Sequence, residues 1–325
     1  MSKVLVTGGS GFIGSNIVKK LNSKGYEVNM LDIWGLQIDG AACIKGSVLN
    51  VEDIEKAIQG CDYVIHLAAI LGVSRSTHKP VECLDVNIQG TRNVLQACIK
   101  HHIKKIIFSS SSEVYGEPDK VPITEDMPLQ PKSEYGVSKV VGEEYLKSFH
   151  RQYKLNYAIV RFFNVYGLHQ EPWWVMSRFI TNVSLGKPPI VYGDGSQVRA
   201  FCNVKDAAEG IIAAMEKANN EVFNIGNSKE QISMKQLAER VSRLGKFNKN
   251  ITYIALEQSD RSKEREIYKR IPDTSKAKKI LGFEAEISLD EGIKEILDYN
   301  ANHLEEVKQT AAAVEATENR RKNGN

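Results

Sequence analysis

The sequence predicts an α/β protein: a doubly wound parallel sheet followed by a smaller C-terminal α+β region. Two observations carry this expectation. Val/Ile-rich strand patterns alternate with helical ones through the first half of the 325 residues, as parallel strands covered on both faces by crossover helices require. The chain also opens on strand, glycine turn and helix. Val4-Leu5-Val6 leads into Thr7-Gly8-Gly9-Ser10-Gly11-Phe12-Ile13-Gly14, and Ile17, Val18 and Leu21 follow at helical spacing.

Taken in order, strands are expected near 3–7, 26–32, 62–66, 104–109 and 156–161, and helices near 12–24, 51–59, 80–100 and 133–153. Gly8, Gly11 and Gly14 let the backbone turn tightly, approach a pyrophosphate and seat the helix on the sheet. The helix N-terminus then offers unpaired N–H groups to phosphate. Asp32 ends the second strand-like run, Val28–Leu31, where a carboxylate can meet an adenosine ribose. Ile33 and Trp34 follow it, with no Arg or Lys beside it. A carboxylate repels a 2′-phosphate, so the expected dinucleotide is NAD rather than NADP. The plainer alternative for Asp32 is a polar residue that ends a strand.

Pro118, Pro122, Pro128 and Pro131 mark a long irregular loop before the 133–153 helix, and such loops are often functional. After about Gly167 the punctuation changes, with Pro172-Trp173-Trp174, Pro188-Pro189 and Gly193-Asp194-Gly195. Later helices are expected near 174–185, 204–217, 233–244 and 289–303. The division expected is 1–165, 166–305 with some return to the first sheet, and a polar tail over 306–325. That tail has no aromatic residue and reads as a fraying helix followed by disorder.

Composition excludes several classes. The net charge is +3 with both signs interspersed, which gives no basic surface for nucleic acid. Lys104-Lys105, after His101-His102, reads as a solvated helix end before a strand. No apolar run approaches a membrane span, and the N-terminus reads as a strand rather than a signal peptide. Cys43, Cys61, Cys83, Cys98 and Cys202 stand apart without metal spacing and fit a reducing cytoplasm. No metal site is expected. His66, in Val64-Ile65-His66-Leu67-Ala68-Ala69, reads as a packed structural residue rather than a ligand or base.

Two further segments carry chemistry. Phe108-Ser109-Ser110-Ser111-Ser112-Glu113-Val114-Tyr115-Gly116 leaves a strand where parallel sheets bind ligands. Spacing alone does not choose among its four serines, and a polar strand exit is the bland reading. Tyr135 and Lys139, four apart on a helical pattern, share a face. A phenol near pKa 10 is a poor base at neutral pH. A neighbouring ammonium and a nicotinamide cation favour its phenolate. That phenolate can take a hydroxyl proton while hydride leaves the same carbon.

These residues resemble an extended short-chain dehydrogenase/reductase of the nucleotide-sugar epimerase/dehydratase group. The matching segments are Thr7–Gly14, His66–Ala69, Asn87 with Gly90-Thr91, Ser109–Gly116, Tyr135–Lys139, Arg161–Gly167, Gly193–Val204 and Pro272–Leu281. The resemblance implies a Rossmann domain in which Gly8, Gly11, Phe12, Ile13, Gly14 and Asp32 hold NAD. Leu67, Ala68, Ala69, Asn87 and Ser109 would line the cofactor cleft. It also implies Ser111 as the active-site hydroxyl, Tyr135 as base and Lys139 as the residue that orients the ribose and lowers the phenol pKa. Asn164 and Arg199 would meet the sugar-nucleotide diphosphate. A second phosphate arginine would be Arg261, Arg265 or Arg270, with Arg265 favoured. A homodimer would form through the 80–100 and 133–153 helices, which carry Val86, Leu95, Val140 and Val141.

Two departures bear on the reaction. Sugar-nucleotide 4,6-dehydratases carry Thr-Asp-Glu where this chain has Ser111-Ser112-Glu113, so the acid for a leaving C6 hydroxyl is missing. The 4-epimerases usually lack a carboxylate at the Glu113 position, whereas the decarboxylases share Ser-Glu-Val-Tyr-Gly. Trp173-Trp174 either walls a sugar pocket or packs a helix start. The expected activity is C4 oxidation of a nucleotide diphosphate hexose followed by 4-epimerisation. The alternatives are a dehydratase or decarboxylase using Glu113, a net C4 dehydrogenase, and a non-catalytic NAD-binding regulator. Intact Ser111, Tyr135 and Lys139 argue against the last.

Overall fold

The structure is a computed structural model that describes residues 2–71, 79–255 and 266–322. Its centre is a seven-stranded sheet, every pair parallel. The spatial order is Glu221–Ile225, Asn156–Phe162, Lys105–Ser111, Tyr63–His66, Lys3–Thr7, Glu27–Asp32 and Ala41–Lys45. The chain therefore builds outward from Lys3–Thr7 in one direction, then returns and builds in the other. The reversal lies between Lys3–Thr7 and Tyr63–His66, and ligands of open α/β sheets bind beyond the strand ends at such a point.

Period-two alternation sends Val4 and Val6 to one core and Leu5 to the other. The helices Phe12–Ser23 and Val204–Lys217 cover the first face with Ile17, Val18, Leu21, Ala207 and Ile211. The helices Val51–Ile58, Gly90–Lys100 and Glu134–Tyr153 cover the second with Ile54, Ile58, Val94, Leu95 and Leu146. Side-chain caps start five of the described α-helices, at Asn50, Ser133, Asn203, Ser233 and Ser288. Asn50 Oδ1 accepts from Glu52 N–H, and reciprocal capping boxes join Ser233 to Gln236 and Ser288 to Glu291.

A second core forms around Phe179, Ile180, Leu237, Val241 and Ile293, on the helices Val175–Ser184, Met234–Leu244 and Leu289–Asn302. Short strands accompany it. Val198–Arg199 lies between Ile232–Ser233 and Lys269–Arg270, with Arg199 directly beside Arg270.

Four features differ from expectation. The strand Ala41–Lys45 gives little sequence signal because it is a half-exposed edge, held by backbone pairing to Glu27–Asp32. Glu221–Ile225 closes the opposite edge of the sheet. The expected 80–100 helix is two helical pieces, Pro80–Leu84 and Gly90–Lys100, joined by a π-helical turn over Asp85–Gln89. Finally, the C-terminal helix, expected to fray, continues over Leu304–Lys322. Docking supplies what its sequence lacks: Val307 is buried, and Glu315 pairs with Lys187 at 2.9 Å.

The second face holds a buried ion pair. Arg161 donates from Nε and Nη2 to Glu143 Oε1 and Oε2 at 2.9 and 2.6 Å, and Ser110 Oγ donates to Glu143 Oε1 at 2.6 Å. Arg161 Nη1 donates to the Tyr115 hydroxyl, which donates in turn to Asn224 Oδ1. Removing one partner strands the other's charge away from water. Arg161→Met should therefore lower unfolding free energy by about 3–5 kcal/mol, read as a fall in urea midpoint.

Candidate active site

Thr7 ends its strand and the chain turns through Gly8 at φ +73°. A Cβ on Gly8 would stand 2.8 Å from Ala68 N, and one on Gly14 would stand 2.1 Å from Gly8 O. Glycine is thus enforced at both positions by backbone approach. The helix Phe12–Ser23 starts at Gly11 with no side-chain cap, so its first N–H groups remain available to an anion. Asp32 is buried at the adjacent strand end, where Oδ2 accepts from Ser10 N–H and Oδ1 from Trp34 N–H, both at 3.0 Å. An uncapped helix start, an enforced glycine turn and a carboxylate beside it fit a dinucleotide with a free ribose diol. Phe12 and Ile13 open that helix.

Across the crevice, Leu67 N–H donates to Thr7 O at 3.1 Å and Ala68 N–H to Thr7 Oγ1 at 3.3 Å, and Ala69 follows half-buried. The Asn87 side chain clamps Ile70: Oδ1 accepts from its N–H at 2.8 Å and Nδ2 donates to its carbonyl at 3.0 Å. Asn87 Nδ2 also donates to Ser138 Oγ at 2.9 Å, and Ser138 donates to Tyr135 O at 2.7 Å.

The four serines are told apart by their partners. Ser109, Ser110 and Ser112 are buried, with Ser110 held by Glu143. Ser111 caps the short 3₁₀ turn Ser112–Tyr115, and its hydroxyl stands near enough to the Tyr135 phenol to pull its pKa down. Ser133 caps the helix Glu134–Tyr153 through Gly136 N–H at 3.1 Å, and its hydroxyl donates to Glu113 Oε2 at 2.9 Å. That cap was legible as a Ser before a helical pattern, although its grip on Glu113 was not.

Burial pushes the Tyr135 phenol up, and the Glu113 carboxylate adds to this. Ser111 and Arg270 act the other way. Lys139 is 3% exposed, and desolvation pulls its ammonium down to about 8. Its Nζ stands 4.8 Å over the Phe108 ring and 5.6 Å over the Tyr135 ring. The expected lowering of the phenol draws on the Lys139 ammonium together with a nicotinamide cation, and a bound dinucleotide's positive ring would work against the desolvation.

Of the three candidate phosphate arginines, Arg270 is the one among the described residues. Its Nη1 lies 3.8 Å from Glu113 Oε1, while Arg261 and Arg265 fall outside the described residues. Arg199 is buried: Nη1 donates to Val198 O and Tyr268 O at 3.0 and 3.2 Å, and Nη2 lies 3.5 Å from Glu266 Oε1. Asn164 adopts φ +34°, and its buried Oδ1 has no hydrogen-bond partner among the described residues. Trp174 occupies the N-cap position of the helix Val175–Ser184 without a side-chain cap bond and is 38% exposed, while Trp173 is half-buried. Among the described residues no cluster of metal-ligating side chains occurs, and no helix is long and apolar enough to cross a membrane.

The arrangement is a desolvated phenol, a hydroxyl near it and a buried lysine, opposite a dinucleotide cleft. It is that of a hydride-transfer enzyme. Residues 4–226 match the NAD dependent epimerase/dehydratase family, and the chain belongs to that family. It is an NAD-dependent enzyme of the nucleotide-sugar epimerase/dehydratase class. A putative UDP-glucose 4-epimerase of Methanocaldococcus jannaschii is 39% identical over 92% of this chain and 99% of its own length. A UDP-N-acetyl-alpha-D-glucosaminuronate decarboxylase of Bacillus cytotoxicus is 35% identical over 91% and 97%. The crystal structure of UDP-glucose 4-epimerase with UDP-glucose from Thermotoga maritima superposes with a TM-score of 0.87 at 35% identity, covering 93% of this chain and 99% of that one.

The glycine turn gives a direct test. Gly14→Ala forces apart a 2.1 Å approach to Gly8 O. NADH affinity, read by fluorescence titration, should fall at least tenfold, and the thermal transition should fall with it because the clash is with backbone.

Proposed function

We propose that the protein is a nucleotide diphosphate sugar 4-epimerase. The observation that carries this is the approach of the Ser111 hydroxyl to the Tyr135 phenol beside buried Lys139. NAD held by Gly8, Gly11, Phe12, Ile13, Gly14 and Asp32 supplies a hydride acceptor and donor. Tyr135 takes the O4 proton as the C4–H bond breaks, and Ser111 holds O4 and relays that proton. Lys139 orients the ribose and adds positive charge near the phenol. After the 4-keto sugar turns over, hydride returns to the other face of C4 and Tyr135 gives back the proton. Asn164 and Arg199 bind the diphosphate, an anion to which Arg199 is suited by its planar pair of donors.

A second reading has its own support. Arg270 beside Glu113 places a cation next to a carboxylate at the phenol, and one relative is named a decarboxylase. In that reaction the C5–C6 bond of a 4-keto uronate breaks, carbon dioxide leaves, and the electron pair passes into the ketone. Arg270 would hold the sugar carboxylate and Glu113 would position the ring.

Turnover of UDP-, GDP- and dTDP-sugars followed by product mass separates these readings. Unchanged mass with inversion at C4 is the expected result; loss of carbon dioxide or water overturns it. In heavy water the epimerised product should carry no deuterium at C5, since no carbon-bound proton is removed there. Tyr135→Phe should slow turnover by about 10²–10⁴-fold with NADH binding kept.

We also propose a cytoplasmic homodimer with NAD-binding residues 1–165, substrate-binding residues 166–305 and a C-terminal segment over 306–325. Of the residues expected on this face, Leu95 is fully buried in the chain's own core and Val86, Val140 and Val141 are half-buried, whereas Val81, Val137 and Tyr153 are 68%, 42% and 49% exposed on the Pro80–Leu84 and Glu134–Tyr153 helices. Such a face suits an isologous two-fold contact. Light scattering at micromolar protein should return twice the 36.3 kDa chain mass. All five cysteines are free thiols, in keeping with a reducing compartment.

A further inference from the structure

His66 is 1% exposed at the end of the strand Tyr63–His66, and both ring nitrogens have partners. Nδ1 lies 2.7 Å from Thr7 Oγ1 and Nε2 lies 3.1 Å from Thr91 Oγ1. The protons in this chain can be assigned. Thr91 Oγ1 donates to the Asn87 carbonyl at 2.6 Å, and a carbonyl cannot donate, so the one hydroxyl proton of Thr91 is spent there. Nε2 must therefore carry the hydrogen that Thr91 accepts. The neutral ring then accepts at Nδ1 from Thr7 Oγ1–H, while Thr7 Oγ1 accepts Ala68 N–H at 3.3 Å. Burial, with Lys139 nearby, pulls the imidazolium pKa down to about 3, so the ring stays neutral across the working range.

The chain has two ends with different business. One end is the strand that feeds the glycine turn and the Ala68 backbone that Gly8 presses against. The other is Asn87, in the π-helical turn, whose side chain clamps Ile70 and reaches the Tyr135 carbonyl through Ser138. We propose that His66 is a positioning residue that, as the fixed Nε2–H tautomer, sets the cofactor turn in register with the helix bearing Tyr135 and Lys139. It touches no reacting atom. It acts through Thr7 on the cofactor side and through Thr91 and Asn87 on the phenol side.

The two halves can be cut separately. An asparagine carbonyl falls where Nδ1 sits, so His66→Asn keeps the acceptor for Thr7 and loses the donor to Thr91. A glutamine amide nitrogen falls where Nε2 sits, so His66→Gln keeps that donor and loses the acceptor. Each lost bond is worth about one kcal/mol, with more for a stranded buried group, or roughly tenfold in the quantity it controls. His66→Asn should lower kcat about tenfold with the NADH Kd within about twofold of wild type. His66→Gln should raise the NADH Kd about tenfold and spare kcat at saturating cofactor. A merely structural histidine predicts parallel losses in both variants, and that result, or no loss in either, overturns the proposal. If either variant fails to fold, Thr91→Val and Thr91→Ser take its place. Thr91→Val should lose kcat and Thr91→Ser should recover most of it; equal losses overturn the proposal. The turnover arm rests on the proposed function. A wild-type enzyme inactive on every nucleotide sugar would defeat that function, whereas the NADH arm would still judge His66.

Discussion

Arg161 and Glu143 meet in two parallel hydrogen bonds beneath the site, both out of reach of water. The pair joins a central strand to the middle of the Tyr135 helix. Through Ser110 it reaches the strand that delivers Ser111, and through Tyr115 and Asn224 it reaches the sheet's edge strand. Arg161 also holds the Glu125 carbonyl at 3.0 Å, in the long loop before the helix. An ion pair of this kind adds little net stability over apolar packing, yet it tolerates no loss of one partner. What it provides is a single placement of the Tyr135 helix and the long loop on strands that the sheet ladders already hold together.

That placement decides the chemistry of the phenol. Tyr135 stands on a helix whose first turn is capped by Ser133, and the same hydroxyl holds Glu113. The cap that starts the helix therefore also aims a carboxylate at the phenol, and Arg270 arrives from a distant strand to balance it. Burial disfavours the charged forms of both Tyr135 and Lys139. The resting protein thus holds a protonated phenol and a lysine close to neutral charge balance at mildly alkaline pH. In the proposed function, the positive charge of an oxidised cofactor would shift this set toward the phenolate and so tie proton removal to a loaded cleft.

The parts legible in sequence are those whose physics is local. Alternating apolar runs specify buried parallel strands, and they placed Lys3–Thr7, Tyr63–His66 and Lys105–Ser111 within a residue or two. Gly8 and Gly14 were readable because a tight turn and a backbone approach leave room for no other residue. Ala41–Lys45 was not, because an edge strand held by main-chain bonds leaves no side-chain pattern. The C-terminal helix was expected to fray, and its extent was not legible for a related reason: its residues are polar all round, and docking adds to its order.

The sequence by itself determined five of the seven sheet strands, the glycine turn, the carboxylate at the end of the second strand and the Tyr135–Lys139 spacing, since each lies within one or two adjacent elements. Only the tertiary structure decided which of four serines meets the phenol, which arginine stands by Glu113, and which ring nitrogen of His66 carries its proton. Those choices depend on contacts between residues 24 to more than 150 positions apart. The burial that sets the pKa of Tyr135 and Lys139 belongs to the same class. Desolvation is a property of everything packed around a group, and no window of sequence contains it.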